Sequence, residues 1–219
     1  QIGYVAVADG KAGHPRWLNL LHGLGDAHVT SVAVSDDPPG VFAIGTFDGP
    51  SLRLGVYDPN DESDQRRTMV INNPHPPTVL ENGQLATPSN PDYRTGFVAL
   101  FDLEDGAPKY AYAHDRWTAV VDMAILLWVD VSPISRVVVV GTIDGEWDIA
   151  PFEPRPGENR TVRITSDPGR PGLFCAMFRA SDGVPRWGWS VRGRRAADEV
   201  YPSFLHPASD RSSSVGVVA

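Results

Sequence analysis

The sequence predicts an all-β chain built of recurring four-stranded antiparallel sheets, and three observations carry that expectation. The pentapeptide Gly-x-Pro-basic-aromatic occurs three times, as GHPRW at 13–17, GAPKY at 106–110 and GVPRW at 183–187. Each copy follows a short apolar run opened by glycine: GYVAVAD from Gly3, GFVALFD from Gly96 and GLFCAMF from Gly172. The spacings move together, with 93 residues from Gly3 to Gly96 and from Gly13 to Gly106, then 76 from Gly96 to Gly172 and 77 from Gly106 to Gly183.

Within each unit the runs follow strand grammar. HVTSVAVSDD from 28, VVDMAILLWVDV from 120 and EVYPSFLHPASD from 199 supply a first strand. VFAIGTFDG at 41–49 and VVVVGTIDG at 137–145 supply a second, and SVGVVA at 214–219 is the same strand cut short. These β-branched and aromatic runs are bounded by Gly, Pro and Asp, while helix signals are nearly absent. The glycine-opened run is the third strand. A tight turn then leads to the fourth, because Gly accepts positive φ and Pro presets the next φ. Gly13, Pro15 and Trp17, Gly106, Pro108 and Tyr110, and Gly183, Pro185 and Trp187 are therefore equivalent hairpin residues. In WGWS, Trp187 and Trp189 share a face through the period-two alternation of a strand, with Arg186 and Lys109 on the opposite side or the rim.

Four-stranded units repeated along a chain predict a β-propeller-like array of antiparallel blades, about three blades' worth of strands with long loop insertions. The boundaries are a half blade at 1–27, a blade at 28–115 with an insertion at 56–95, a blade at 116–191 with an insertion at 146–171, and a half blade at 192–219. A β-solenoid would need shorter, more regular coils, and a two-sheet sandwich leaves the threefold recurrence unexplained.

Composition narrows the partners. The 21 Gly and 20 Pro mark a chain of many turns, and a formal charge of −8 without a Lys/Arg stripe argues against nucleic acid. RGRR at 192–195 is the one basic cluster, read as a solvated connection between blades. Cys175 stands alone in LFCAMF, so an internal disulfide, a thiolate metal cluster and a CxxC pair are all excluded, and a buried inert thiol is expected. The longest apolar run, AVVDMAILLWVDV, is interrupted by Asp122 and falls short of the ~18 residues of a membrane helix.

Candidate chemistry is sparse. Asp58, Asn60, Glu62 and Asp64 alternate as the oxygen ligands of a calcium loop do, but the sixth position holds no glycine and Met69 stands where a closing glutamate would be needed. A solvated acidic loop is the preferred reading, so neither a metal nor another cofactor is assigned. His14, His22, His28, His75, His114 and His206 form no HExxH or HxH pair. The GxSxG elbow, the P-loop and a strand-to-helix GxGxxG are also missing, so no catalytic residue is assigned and the chain reads as a non-enzyme. Trp117, Trp128, Trp147, Trp187 and Trp189 would stack on sugars if exposed, and otherwise fill the layers between sheets. Asn159, in Asn-Arg-Thr, is a candidate N-glycosylation site if the source is a eukaryote that secretes the protein.

The order of a (Val)-rich strand ending GTFDG, a variable loop, GFVALFD and DGVPRW resembles the SBBP-type β-propeller repeats of bacterial cell-surface and secreted proteins. The insertions between the GTFDG and GFVAL strands are much longer here than in that family. The resemblance implies an extracellular or cell-surface scaffold that meets other protein chains of a surface assembly, and it brings no catalytic residues with it. The competing function is a propeller that binds or cleaves carbohydrate with its acids and tryptophans. The chain opens on the third and fourth strands of a unit and closes on the first and second. These complementary halves, together with a first residue that is not Met, lead us to expect a piece of a longer polypeptide.

Overall fold

In the computed structural model, residues 2–55, 68–74, 76–85, 94–113, 119–128, 134–143, 145–149, 161–167, 172–192, 204–207 and 215–218 are described. They are all-β, with antiparallel pairing throughout and no helix among them. The strands are β1 (Gly3–Ala8), β2 (Pro15–Leu21), β3 (Ala27–Asp36), β4 (Pro39–Phe47), β5 (Ser51–Leu54), β6 (Met69–Asn72), β7 (Thr95–Asp102) and β8 (Pro108–Ala113). They continue with β9 (Ala119–Trp128), β10 (Ile134–Ile143), β11 (Glu146–Ile149), β12 (Val162–Thr165), β13 (Gly172–Arg179), β14 (Pro185–Arg192), β15 (Phe204–Pro207) and β16 (Val215–Val218).

Two four-stranded sheets have the same order, β3-β4-β7-β8 and β9-β10-β13-β14. The hairpin β1-β2 precedes them and β15-β16 follows. Both sheets carry a bulge opposite the glycine of the GT motif. Ile44 and Gly45 pair with Ser31 and Val29, skipping Thr30, while Val140 and Gly141 pair with Asp122 and Val120, skipping Val121. The extra residue brings the bulged strand close. A Cβ at Gly45 would overlap the carbonyl oxygen of His28 and press the Phe97 ring, so only glycine fits there.

Strand alternation sends successive residues to opposite faces, and each face of the middle sheet has its own core. Val41, Ala43, Phe97, Ala99 and Phe101 pack with Val5, Trp17 and Leu21 of the first hairpin. Phe42, Ile44, Val98, Leu100 and Tyr110, from the opposite face, pack with Val137, Val139, Phe174, Ala176 and Phe178 of the last sheet. The far face of the last sheet gathers Val138, Val140, Leu173, Cys175 and Met177, with Trp187 partly buried against them. The sheets thus stack face against face in chain order. β9 lies beside β3, and β15 lies beside β9 in the same way.

The insertions depart from the expectation of long loops. The second contains a hairpin of its own, β11-β12, while the first supplies β6, which pairs with β5 just ahead of it; the apolar side of each pair faces inward. Leu52, Leu54 and Ile71 join one inter-sheet core, while Trp147, Ile149 and Ile164 join the other. A buried polar side chain pins each hairpin to its sheet. The Asn73 amide donates to the Gly49 carbonyl at 3.0 Å and accepts from the Thr95 hydroxyl at 2.9 Å. The Ser166 hydroxyl accepts from the Gly145 N–H and donates to the Ile143 carbonyl, both at 2.8 Å.

Candidate interaction site

The three Gly-x-Pro turns are geometrically alike. Gly13, Gly106 and Gly183 have φ of 67°, 74° and 68°. In each turn the same two backbone bonds close the loop: the Asp9, Asp102 and Arg179 N–H groups donate to the His14, Ala107 and Val184 carbonyls, and the glycine N–H returns to the carbonyl of residue 9, 102 or 179. The ladder shifts register at the same step in all three, ending on the pairs Ala8–Pro15, Phe101–Pro108 and Phe178–Pro185. Proline has no N–H for the ladder, so the irregularity falls where no bond is lost.

Side chains reinforce these turns differently. The Asp9 carboxylate accepts from the Lys11 and Ala12 N–H groups, and these bonds hold its pKa below the ordinary carboxylate value. Asp102 is held low chiefly by its bond to the Lys109 ammonium at 2.9 Å, and then by the Glu104 N–H. In the third turn Arg179 takes that place and its guanidinium pairs with Asp182, 2.7 Å from Nε to Oδ1. Lys109 also reaches the Pro39 carbonyl at 3.2 Å, so it faces the rim.

The turn residues meet the preceding unit. Trp17 donates its indole N–H to the Leu103 carbonyl at 3.0 Å, and the Asn19 amide donates to the Gly106 carbonyl. One unit on, the Tyr110 hydroxyl donates to the Ala180 carbonyl at 3.3 Å and the Tyr112 hydroxyl to the Gly183 carbonyl at 2.5 Å. Burial raises the Tyr110 pKa well above that of an ordinary phenol, so it stays a donor. The rings lie on the glycines: a Cβ at Gly106 would sit 2.7 Å from Trp17 Cδ2, and one at Gly183 2.9 Å from Tyr110 Cδ2. Asn19 and Tyr112 do not figure among the sequence-derived candidates. The signal that would find them is a hydrogen-bond donor two residues after each repeat aromatic, where Trp189 stands in the third copy.

The remaining candidates divide. Trp147 is 2% exposed and packs on Phe174 and Phe178, whereas Trp189 is 42% exposed. Cys175 is buried and burial pushes its thiol pKa up to about 12. Asp148 and Arg163 form a two-pronged ion pair on the exposed side of β11-β12, with 2.6 and 2.5 Å contacts, and Arg163 holds the Asp148 pKa low. Among the described residues, no three His, Cys, Asp or Glu side chains gather as a metal site would require. Asp58, Asn60, Glu62, Asp64, Asn159 and Trp117 lie outside the described residues. No protein-family model, curated protein or solved structure matches this chain.

Proposed function

We propose that the chain is a non-enzymatic structural and protein-interaction module, a propeller-like array of stacked sheets serving an extracellular or cell-surface assembly. The observation that carries this reading is the recurring junction in which a fourth-strand aromatic and the donor two residues later grip the next turn. Trp17, Asn19, Tyr110 and Tyr112 are thereby committed to holding sheets together. The buried, high-pKa thiol of Cys175 is a poor nucleophile. The carbohydrate reading is weakened by Trp147, whose ring is buried between sheets and presents no stacking face.

Protease shaving of intact producing cells, followed by cross-linking mass spectrometry at the cell surface, tests the proposal. We expect release of the chain by the protease and cross-links from the insertion hairpins to neighbouring protein chains. Protection from the protease, or turnover of glycosides by the purified chain, would overturn it.

A further inference from the structure

The segment between β6 and β7 holds the one Asn-Gly step of the sequence, Asn82-Gly83. It folds into a small hairpin in which Val79 bridges Leu85. The Leu80 N–H donates to the Gln84 carbonyl and the Gly83 N–H donates to the Leu80 carbonyl, both at 2.8 Å. Gly83 has a φ of 77°, and residues 78–84 are all exposed.

The Asn82 side chain is held in a particular way. Its Oδ1 accepts from the Gln84 N–H at 3.0 Å, and its Nδ2 donates to Gln84 Oε1 at 3.0 Å. A bond from an asparagine Oδ1 to the N–H two residues on is an Asx turn, which folds the carboxamide back over the peptide between them. That peptide's nitrogen belongs to Gly83, so Asn82 Cγ is set over a backbone nitrogen that no side chain shields. The bond accepted by Oδ1 also draws electrons from Cγ and makes it a better electrophile. The contact that opposes attack is the Gly83 N–H bond to the Leu80 carbonyl, and in an exposed turn such a bond opens readily to water. Asn19 and Asn73 are placed otherwise: both are buried, and they precede Leu20 and Pro74, the latter without an N–H.

We propose that Asn82-Gly83 is a site of spontaneous covalent modification, at which the turn deamidates to isoaspartate. The Gly83 nitrogen, its proton taken by hydroxide, attacks Asn82 Cγ. The N–Cγ bond forms, the Cγ–Nδ2 bond breaks, and the nitrogen released takes a proton from water and leaves as ammonia, which regenerates the hydroxide. Water then opens the resulting five-membered imide, at Cγ to give aspartate or at the Asn82 main-chain carbonyl to give isoaspartate. Isoaspartate lengthens the main chain by one methylene and sets a carboxylate beside Glu81. The lengthened turn no longer matches the two Leu80 bonds. Leu85, whose Cδ1 lies 3.0 Å from where a Gly25 Cβ would sit, then loses its fixed place against the 22–26 loop. The modification accumulates with time and loosens this one loop. It stands apart from the interaction-module reading, and neither depends on the other.

The test is peptide mapping by mass spectrometry after the folded chain has been incubated in mildly alkaline buffer, with a protein isoaspartyl methyltransferase and labelled S-adenosylmethionine reporting isoaspartate. We expect the peptide holding Asn82 to gain the mass of an amide-to-acid change ahead of every other asparagine peptide. It should split into two isomers, the larger of which takes the methyl label. Gly83→Asp tolerates the positive φ, and its Cβ would meet nothing within 4 Å, so the fold is kept while the new side chain shields the nitrogen and slows conversion several-fold. Limited proteolysis should cut the converted chain within 76–85 several-fold faster than the fresh one. An Asn82 that survives in the folded chain while it converts in urea, an earlier conversion at another asparagine, or a Gly83→Asp variant that converts as fast as the unaltered chain would each overturn the proposal. Equal proteolysis of fresh and converted chains would overturn the loosening of the loop.

Discussion

The two internal junctions do the same job with different chemistry. Between the first hairpin and the middle sheet the donors are an indole and a carboxamide; between the middle and last sheets they are two phenols. What stays constant is the acceptor, a pair of turn carbonyls, and the glycine beneath the ring. A backbone carbonyl accepts from any donor of the right reach, so the donor residue varies. The glycine cannot vary, since it must combine positive φ with a ring packed where its Cβ would lie.

The largest expected effect breaks that constant. Gly106→Ala and Gly183→Ala each combine a strained positive φ, about 1–2 kcal/mol, with overpacking against an aromatic ring, about 1–3 kcal/mol. Gly13→Ala carries the backbone cost alone, because its turn is open. Urea unfolding midpoints should therefore fall much further for the first two than for Gly13→Ala, and equal losses would refute the role of the ring. Cys175 supplies an independent readout, its thiol reacting with a disulfide reagent at pH 8 only as the chain unfolds.

Donor deletion is the next step down. Tyr110→Phe keeps the ring and removes a bond to the Ala180 carbonyl, for an expected loss of about 1 kcal/mol by denaturant titration. Asn19→Leu removes a fully buried donor and leaves the Gly106 carbonyl without it, an expected loss of about 1–3 kcal/mol. If Asn19→Leu costs less than Tyr110→Phe, the two junctions are not energetically parallel.

Acid distinguishes the turns themselves. Asp102 has a folded pKa below its unfolded value, so its contribution is present above the ordinary carboxylate pKa of about 4 and is lost as pH falls through the lower, folded one. Asp102→Asn should flatten the fall in thermal midpoint below about pH 4, with little change near neutrality beyond the loss of the pair. An unchanged acid limb would remove Asp102 from the turn's stability. The smallest expected effect is that of Asp148→Asn. Its ion pair with Arg163 is solvent-exposed, and the thermal midpoint should stay within the error of the measurement.

Much of the strand layout was legible because turns are local. The Gly-Pro spacing places all three hairpin turns, and the 93-residue step aligns Gly3 with Gly96. The next step shows the limit. The turns move by 77 residues and the strand-opening glycines by 76, and in the ladder Gly172 stands where Thr95 does, one residue before the position of Gly96. The turn was the better ruler, since positive φ ties glycine to one site there, whereas a strand opening tolerates either neighbour. The insertion hairpins are not legible because SLRL, MVIN, EWDI and VRIT are too short to stand out from loop sequence, and their pairing bridges 55–68 and 150–161.

By itself, then, the sequence determined that this chain is all-β, where the strands of its repeating units run and where three glycines turn the chain back. Which face each strand presents to which neighbour was decided only in three dimensions. VFAIG and GFVALF are apolar on both sides, so alternation leaves no trace in them, and it takes the stack to divide Val41 and Ala43 from Phe42 and Ile44. Trp17 meets the Leu103 carbonyl across 86 residues of chain, a bond to a backbone atom that every residue possesses. No pattern of side chains could announce that partner, because the turn's geometry, and not the identity of the residue bearing the carbonyl, selects it.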